Sequence, residues 1–217
     1  MTLVEILVVI SIVAVLTTVS VPTIMRMKEK GKSVTCMGNL KQLGGAIIMY
    51  SSDHGDQLLP LQGNKQDGSR GDIWTMVLAK AGYLWDTPNV GRVPCGTGVW
   101  TCPSCDFMSD AYGGYGIVEG IFDYPENIAT SARRMANIAR PSSTWLIGDV
   151  MFKTDPKKGW YAVWQNPGRW AVGHGPAVGR HGNKLVNVCM FDGHVEALTV
   201  KELRTGKYTY ANKATAQ

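Results

Sequence analysis

MTLVEILVVISIVAVLTTVSVPTIM, residues 1–25, decides how the rest of the chain is read. Apart from Glu5 it carries no charge, and at about 1.5 Å per residue it makes a helix of roughly 37 Å, enough to cross a bilayer core of about 30 Å. A secretory signal would set basic residues ahead of a shorter apolar core, whereas the first basic residue here is Arg26. Glu5 is the anomaly. A carboxylate in an apolar span is costly in lipid unless it reaches the interface or a partner, so its presence points to a function. Pro22, behind Thr17, Thr18, Val19, Ser20 and Val21, removes an amide and crowds the carbonyl of Thr18, which predicts a kink or loosening there.

Working outward, Arg26, Lys28, Lys30 and Lys32 form a basic cluster that faces lipid headgroups or solvent. Met37, Leu40, Leu43, Ile47 and Tyr50 then recur at helical spacing, a stripe that predicts continuation of the first helix to about Tyr50. Gly38, Gly44 and Gly45 lower helix propensity but let a sheet or second helix approach closely. A helix of this length runs about 75 Å, far beyond what one small domain covers, so half of it needs partners elsewhere. The chain therefore divides into a hydrophobic transmembrane segment (1–25), an amphipathic continuation (26–52) and a globular head (53–217).

In the head, 51–72 reads as a loop and Ile73 to Ala81 as a short helix stopped by Gly82. Ser131 to Ala139 suggests another short helix. Thr144 to Val150, Trp160 to Trp164, Val186 to Phe191 and Val195 to Val200 have the apolar, β-branched content of strands, and the tail after Lys207 is polar. The fold class expected is α+β: a long N-terminal helix packed on a small antiparallel sheet.

Two sets of residues carry a resemblance. MTLVEILVVISIVAVL, with glutamate at position 5 and proline at 22, resembles the start of a processed type IV pilin or type II secretion pseudopilin. Met1 departs from the phenylalanine that family has there. NLKQLGGAIIMYSSDHGDQLLP (39–60), TCPSC (101–105), YGGYG (112–116), ARPSSTWLIGD (139–149) and RHGNKLVNVCMFDGHVEAL (180–198) resemble the prepilin-like proteins with an H-X9-DG motif. Here ten residues separate His181 from Asp192, a shift of one that a bulge would have to absorb. The resemblance implies a non-enzymatic subunit that polymerises with itself through Met1, Glu5 and Pro22 of the helix. Its partners would be the inner membrane, a prepilin peptidase and a pilus assembly machinery. It implies a methylated N-terminus, an inner-membrane location before assembly and an extracellular filament on the cell surface afterwards. No cofactor and no specific nucleic acid are expected. The rival readings are a secretion pseudopilin and a membrane-tethered protein that binds polysaccharide or DNA.

Three constellations remain. Five cysteines exceed what a cytosolic domain of this size usually keeps and suggest an oxidising compartment. Cys102 and Cys105, with Cys95, have spacing that suits zinc or redox chemistry, yet a fourth ligand at matching spacing is missing. The expectation is disulfides, Cys36 with Cys102 and Cys95 with Cys105, with Cys189 a core thiol and no metal. His181, Asp192, Gly193 and His194 are read as one structural turn cluster, with Gly193 supplying positive φ. Trp160, Trp164 and Trp170, interleaved with Arg169, Arg180 and His174, are read first as packing and second as a ligand contact. No G-x-S-x-G or H-E-x-x-H motif is present, so no enzyme is expected.

Overall fold

The computed structural model describes residues 2–64, 70–84, 98–105, 113–122, 134–152, 155–164, 167–170, 173–182 and 185–204. Met1, Cys95 and the tail after Lys207 lie outside them.

Helix α1 runs Leu3–Asp53, 51 residues. Its first turn is closed by a capping box: the Thr2 hydroxyl accepts the Glu5 N–H at 3.4 Å, and the Glu5 carboxylate accepts the Thr2 N–H at 2.7 Å. The helix runs on through Pro22 without interruption. The hydroxyls around it bond back to the preceding turns, Thr17 to Val13 O, Thr18 to Val15 O and Thr23 to Val19 O, so they are satisfied within the helix itself.

The two halves of α1 meet different surroundings. Every described residue from Thr2 to Lys28 is exposed, and this half is long and apolar enough to cross a membrane. Burial begins further on, at Cys36, Asn39, Leu40, Leu43, Gly44, Ala46, Ile47 and Ser51, one face of a helix. Met37 and Tyr50 of the expected stripe fall at the edge of that face. Of the three glycines only Gly44 permits close approach: a methyl there would stand 2.5 Å from Cys189 Sγ, whereas Gly38 and Gly45 have nothing within 4 Å.

The sheet that α1 covers has seven strands. The hairpin β1 (Gln62–Asn64) and β2 (Arg70–Ile73) precedes it and occupies part of the expected loop. Helix α2 (Trp74–Lys80) follows, anchored by the fully buried Trp74, whose indole N–H donates to Tyr161 O at 2.8 Å. The sheet itself contains β3 (Tyr115–Val118), β4 (Trp145–Phe152), β5 (Asp155–Gly159), β6 (Ala162–Val163), β7 (Gly175–Pro176), β8 (Leu185–Met190) and β9 (Val195–Thr199). Its order is β6-β3-β4-β8-β9, with β5 and β7 pairing to β4. All pairs are antiparallel except β3 with β6, so the sheet is mixed where a purely antiparallel one was expected. A last short helix, α3 (Val200–Arg204), ends the described chain. Only a 3-10 turn at Met135–Asn137 stands in the described part of the helix expected over Ser131 to Ala139.

β4 and β8 are largely buried, with α1 packed against them. The extra residue anticipated before Asp192 leaves β8 and β9 in regular register; the irregularity lies between Trp145 and Ile147 of β4, opposite Met190 and Cys189.

Candidate functional site

Where α1 enters the head, four segments distant in sequence converge on one buried point. Cys36 comes from the first buried turn of α1 and Cys102 from the loop after a 3-10 turn at Gly98–Trp100. Asp149 comes from the middle of β4, and His181 from a 3-10 turn at Arg180–Gly182. One donor atom from each lies within 4.8 Å of all the others, and all four residues are buried.

Local structure explains how each side chain gets there. Asn39, one turn after Cys36, donates from its amide to Thr101 O at 3.1 Å and to Tyr115 Oη at 3.3 Å, which pins the Cys102 loop against α1. The Cys102 N–H donates to Gly113 O and the Cys105 N–H to Cys102 O, which turns the loop tightly there. Asp149 is held by the Asn187 N–H, which donates to its Oδ2 at 3.2 Å, and by the Cys36 thiol, which donates to Oδ1 at 3.1 Å. His181 has φ of +59°, a left-handed conformation that a residue with a β-carbon takes only when its surroundings hold it there. Arg180 does much of that holding: its guanidinium donates to Gly114 O, Val150 O and Lys158 O at 2.9–3.0 Å and stands 3.9 Å from Asp149 Oδ1.

The two ring nitrogens of His181 have separate roles. Nε2 stands 3.4 Å from both Cys102 Sγ and Asp149 Oδ2, while Nδ1 is 3.1 Å from Ser104 Oγ. In a nucleophilic Cys-His-Asp relay the thiol and the carboxylate occupy opposite nitrogens of the ring. Here they share one, so the geometry is that of convergence and not of a relay.

The charges are tightly linked. Burial pushes the Cys36 thiol far up, with Cys102 and Asp149 acting in the same direction. The Cys36 thiol beside it draws Cys102 down to about 6, against burial and Asp149 and with help from His181 and Arg180. Cys102 is thus the first of the pair to lose its proton. Burial pushes His181 down, but hydrogen bonds with Asp149 and Cys102 outweigh it and lift the ring to about 9. Burial works against the Arg180 charge too, and Cys102, Cys105 and Asp149 more than compensate.

This arrangement corrects several sequence expectations. Cys36 is fully buried on α1 and stands beside Cys102 as a thiol, so the expected Cys36–Cys102 disulfide is not formed. Cys105 donates to Lys157 O at 3.1 Å, while Cys102 faces His181 Nε2 at 3.4 Å. The expected Cys95–Cys105 bridge involves a residue outside the described ones. His181 belongs to the buried site, apart from the turn in which it was grouped. Asp192, Gly193 and His194 do form a tight turn between β8 and β9, with Gly193 at φ +85°, its N–H on Met190 O, and the His194 N–H on Asp192 Oδ1 at 3.1 Å. Slight burial raises Asp192, and the backbone and ring of His194 outweigh that and hold it below the ordinary carboxylate value.

The tryptophans pack on their own neighbours. Trp160 lies against His174 and Phe152 with centroids 4.3 and 4.8 Å apart, Arg169 sits 3.9 Å over Trp164, and the buried Trp170 donates its indole N–H to Trp164 O. Asp149 was missed by sequence reasoning. Its signal was a carboxylate inside the strand run WLIGDVMF, where burial demands partners.

Compared with known proteins, the chain matches no family model, no curated protein and no solved structure.

Proposed function

We propose that this chain is a structural subunit of a type IV pilus-like filament, held in the inner membrane by the first half of α1 before assembly. One observation carries the reading. From Leu3 to Met27 the large apolar side chains of α1 are exposed with none of the described residues covering them, while the same helix from Cys36 onward docks one face on the head. An apolar cylinder of that size needs a cover: lipid serves a single chain, and identical helices of neighbouring subunits serve a fibre. The resemblance of residues 1–22 to processed pilins, and of 39–198 to prepilin-like proteins with an H-X9-DG motif, supports the second cover. A prepilin peptidase and an assembly machinery would be the partners, and the filament would stand on the cell surface.

Glu5 has two roles in this reading. Within one chain it closes the capping box with Thr2. In the fibre its carboxylate meets the terminal ammonium of a neighbouring helix, and the pair sets axial register. Removing one partner of a buried pair costs about 3–5 kcal/mol, whereas a capping box accepts glutamine in place of glutamate. Expressed with its processing machinery, Glu5→Gln keeps the cap and loses the charge, so it should lower fibre number as severely as Glu5→Ala. Normal fibre counts for Glu5→Gln would refute the pairing. Stubs in place of long fibres for the wild type would favour a secretion pseudopilus.

A further inference from the structure

We propose that Cys36, Cys102, Asp149 and His181 form a structural zinc site that locks helix α1 to the head at the point where the helix leaves it. This inference is independent of the filament reading, since the site lies wholly within one chain.

The distances set the first argument. Zinc bound tetrahedrally at about 2.0–2.3 Å from sulfur, nitrogen and oxygen places its ligand atoms about 3.3–3.8 Å apart. Cys36 Sγ to Asp149 Oδ1 is 3.1 Å, Cys102 Sγ to His181 Nε2 is 3.4 Å, and His181 Nε2 to Asp149 Oδ2 is 3.4 Å. The two contacts to Asp149 use different oxygens of its carboxylate, and with one donor atom from each residue inside 4.8 Å of the others a modest contraction brings the four to a tetrahedron around one ion. The donor set decides the metal. Two thiolates and an imidazole suit zinc and disfavour magnesium or calcium, which take oxygen ligands.

Charge and orientation give the second argument. Two thiolates and a carboxylate bring three negative charges into a buried space, which isolated burial would forbid. A divalent ion and the Arg180 guanidinium beside Asp149 bring three positive ones, so the loaded cluster is neutral. Loading forms two metal–sulfur bonds, one metal–nitrogen bond and one metal–oxygen bond, and the proton of the Cys36 thiol and the proton held between Cys102 Sγ and His181 Nε2 leave to solvent. His181 is aimed for this role, because Ser104 Oγ engages Nδ1 and leaves Nε2 pointing at the other three donors. Such outer partners fix the ring of a ligating histidine, and the Asn187 N–H does the same for Asp149. Four protein donors, all buried, leave no open position for substrate, so the site is structural and not catalytic.

Placement suggests what the lock does. Cys36 is the first buried residue of α1, with the exposed half of the helix before it, and the other three ligands come from a loop, a central strand and a turn of the head. A load on the helix would reach the head through the Ser33–Asn187 contact, where the Asn187 amide donates to Ser33 Oγ at 3.4 Å, and then through this site.

The test is metal analysis of the full chain, purified in detergent under reducing conditions without chelator. One zinc per chain is expected, with Cys36→Ser, Asp149→Asn and His181→Ala each losing it. Cys105→Ser should retain it, because that thiol faces Lys157 O. Ser104→Ala should weaken zinc affinity about 10- to 100-fold. Because ligand variants can fail to fold, cobalt exchanged into the wild type gives a second readout: strong tetrahedral ligand-field bands with thiolate charge transfer are expected. Wild type with no stoichiometric zinc, cobalt bands lacking thiolate character, or a Cys36–Cys102 disulfide in a non-reducing peptide map of the native protein would each overturn the proposal.

Discussion

The two halves of α1 form one continuous helix, yet residues 3–27, the more apolar of the two, are bare on every side, while residues 36–51 bury one face. The difference lies in spacing. Before Arg26 apolar residues surround the helix on every side, so no single face can bury them against one domain and a surrounding medium is required. After Lys32 the apolar residues gather on one face with glycine among them, and a sheet can dock there. Hydrophobicity alone does not say which surface a helix wants; its angular distribution does.

That contrast can be broken by matched substitutions. Leu43→Ala, in the fully buried half, should cost the head about 2–5 kcal/mol in urea unfolding, while Leu7→Ala should leave the midpoint within about 0.5 kcal/mol. Equal effects would mean that the halves are not energetically distinct. Adjacent glycines sharpen the point. Gly44→Ala places a methyl against Cys189 Sγ and should destabilise by about 1–3 kcal/mol, whereas Gly45→Ala meets open space and should stabilise by up to about 1 kcal/mol through helix propensity. Two destabilised variants of equal size would contradict the docking face described.

The smallest effect belongs to the β8–β9 turn, far from the bare half-helix. Asp192 has a lowered folded value, so its charged form stabilises the fold above the ordinary carboxylate range and that contribution fades as pH falls through the folded value. Asp192→Asn should therefore flatten the acid limb of stability below about pH 5, where the ordinary carboxylate begins to take up its proton, and leave the bare half of α1 unaffected. An unchanged acid limb would show that the turn draws nothing from this carboxylate.

Sequence made the long elements legible and the convergent ones opaque. The apolar run at 3–25, the stripe through Leu40, Leu43 and Ile47, and the runs WLIGDVMF and LVNVCM have a length and period that leave few alternatives. β6 and β7 are two residues each and exist only because neighbouring strands hold them. Pro22 lies inside a continuous helix, so its effect is local and does not end the element. The buried site was half legible. Cys36 and Cys102 were matched to each other, but as a disulfide, because spacing says nothing of Asp149 and His181 arriving beside them from other segments. His181 was drawn toward Asp192 and His194 by nearness in sequence, while its positive φ and Arg180 carry it the other way.

The central claim is that the bare half of α1 is covered by its own copies in a fibre. Cryo-electron microscopy of filaments sheared from cells that make the native chain tests it most directly. The account predicts fibres with residues 3–27 packed helix against helix in the core and heads outside, Glu5 lying beside the N-terminus of a neighbour. Heads forming the core, or a chain found only as single subunits in the membrane with no fibre containing it, would contradict it.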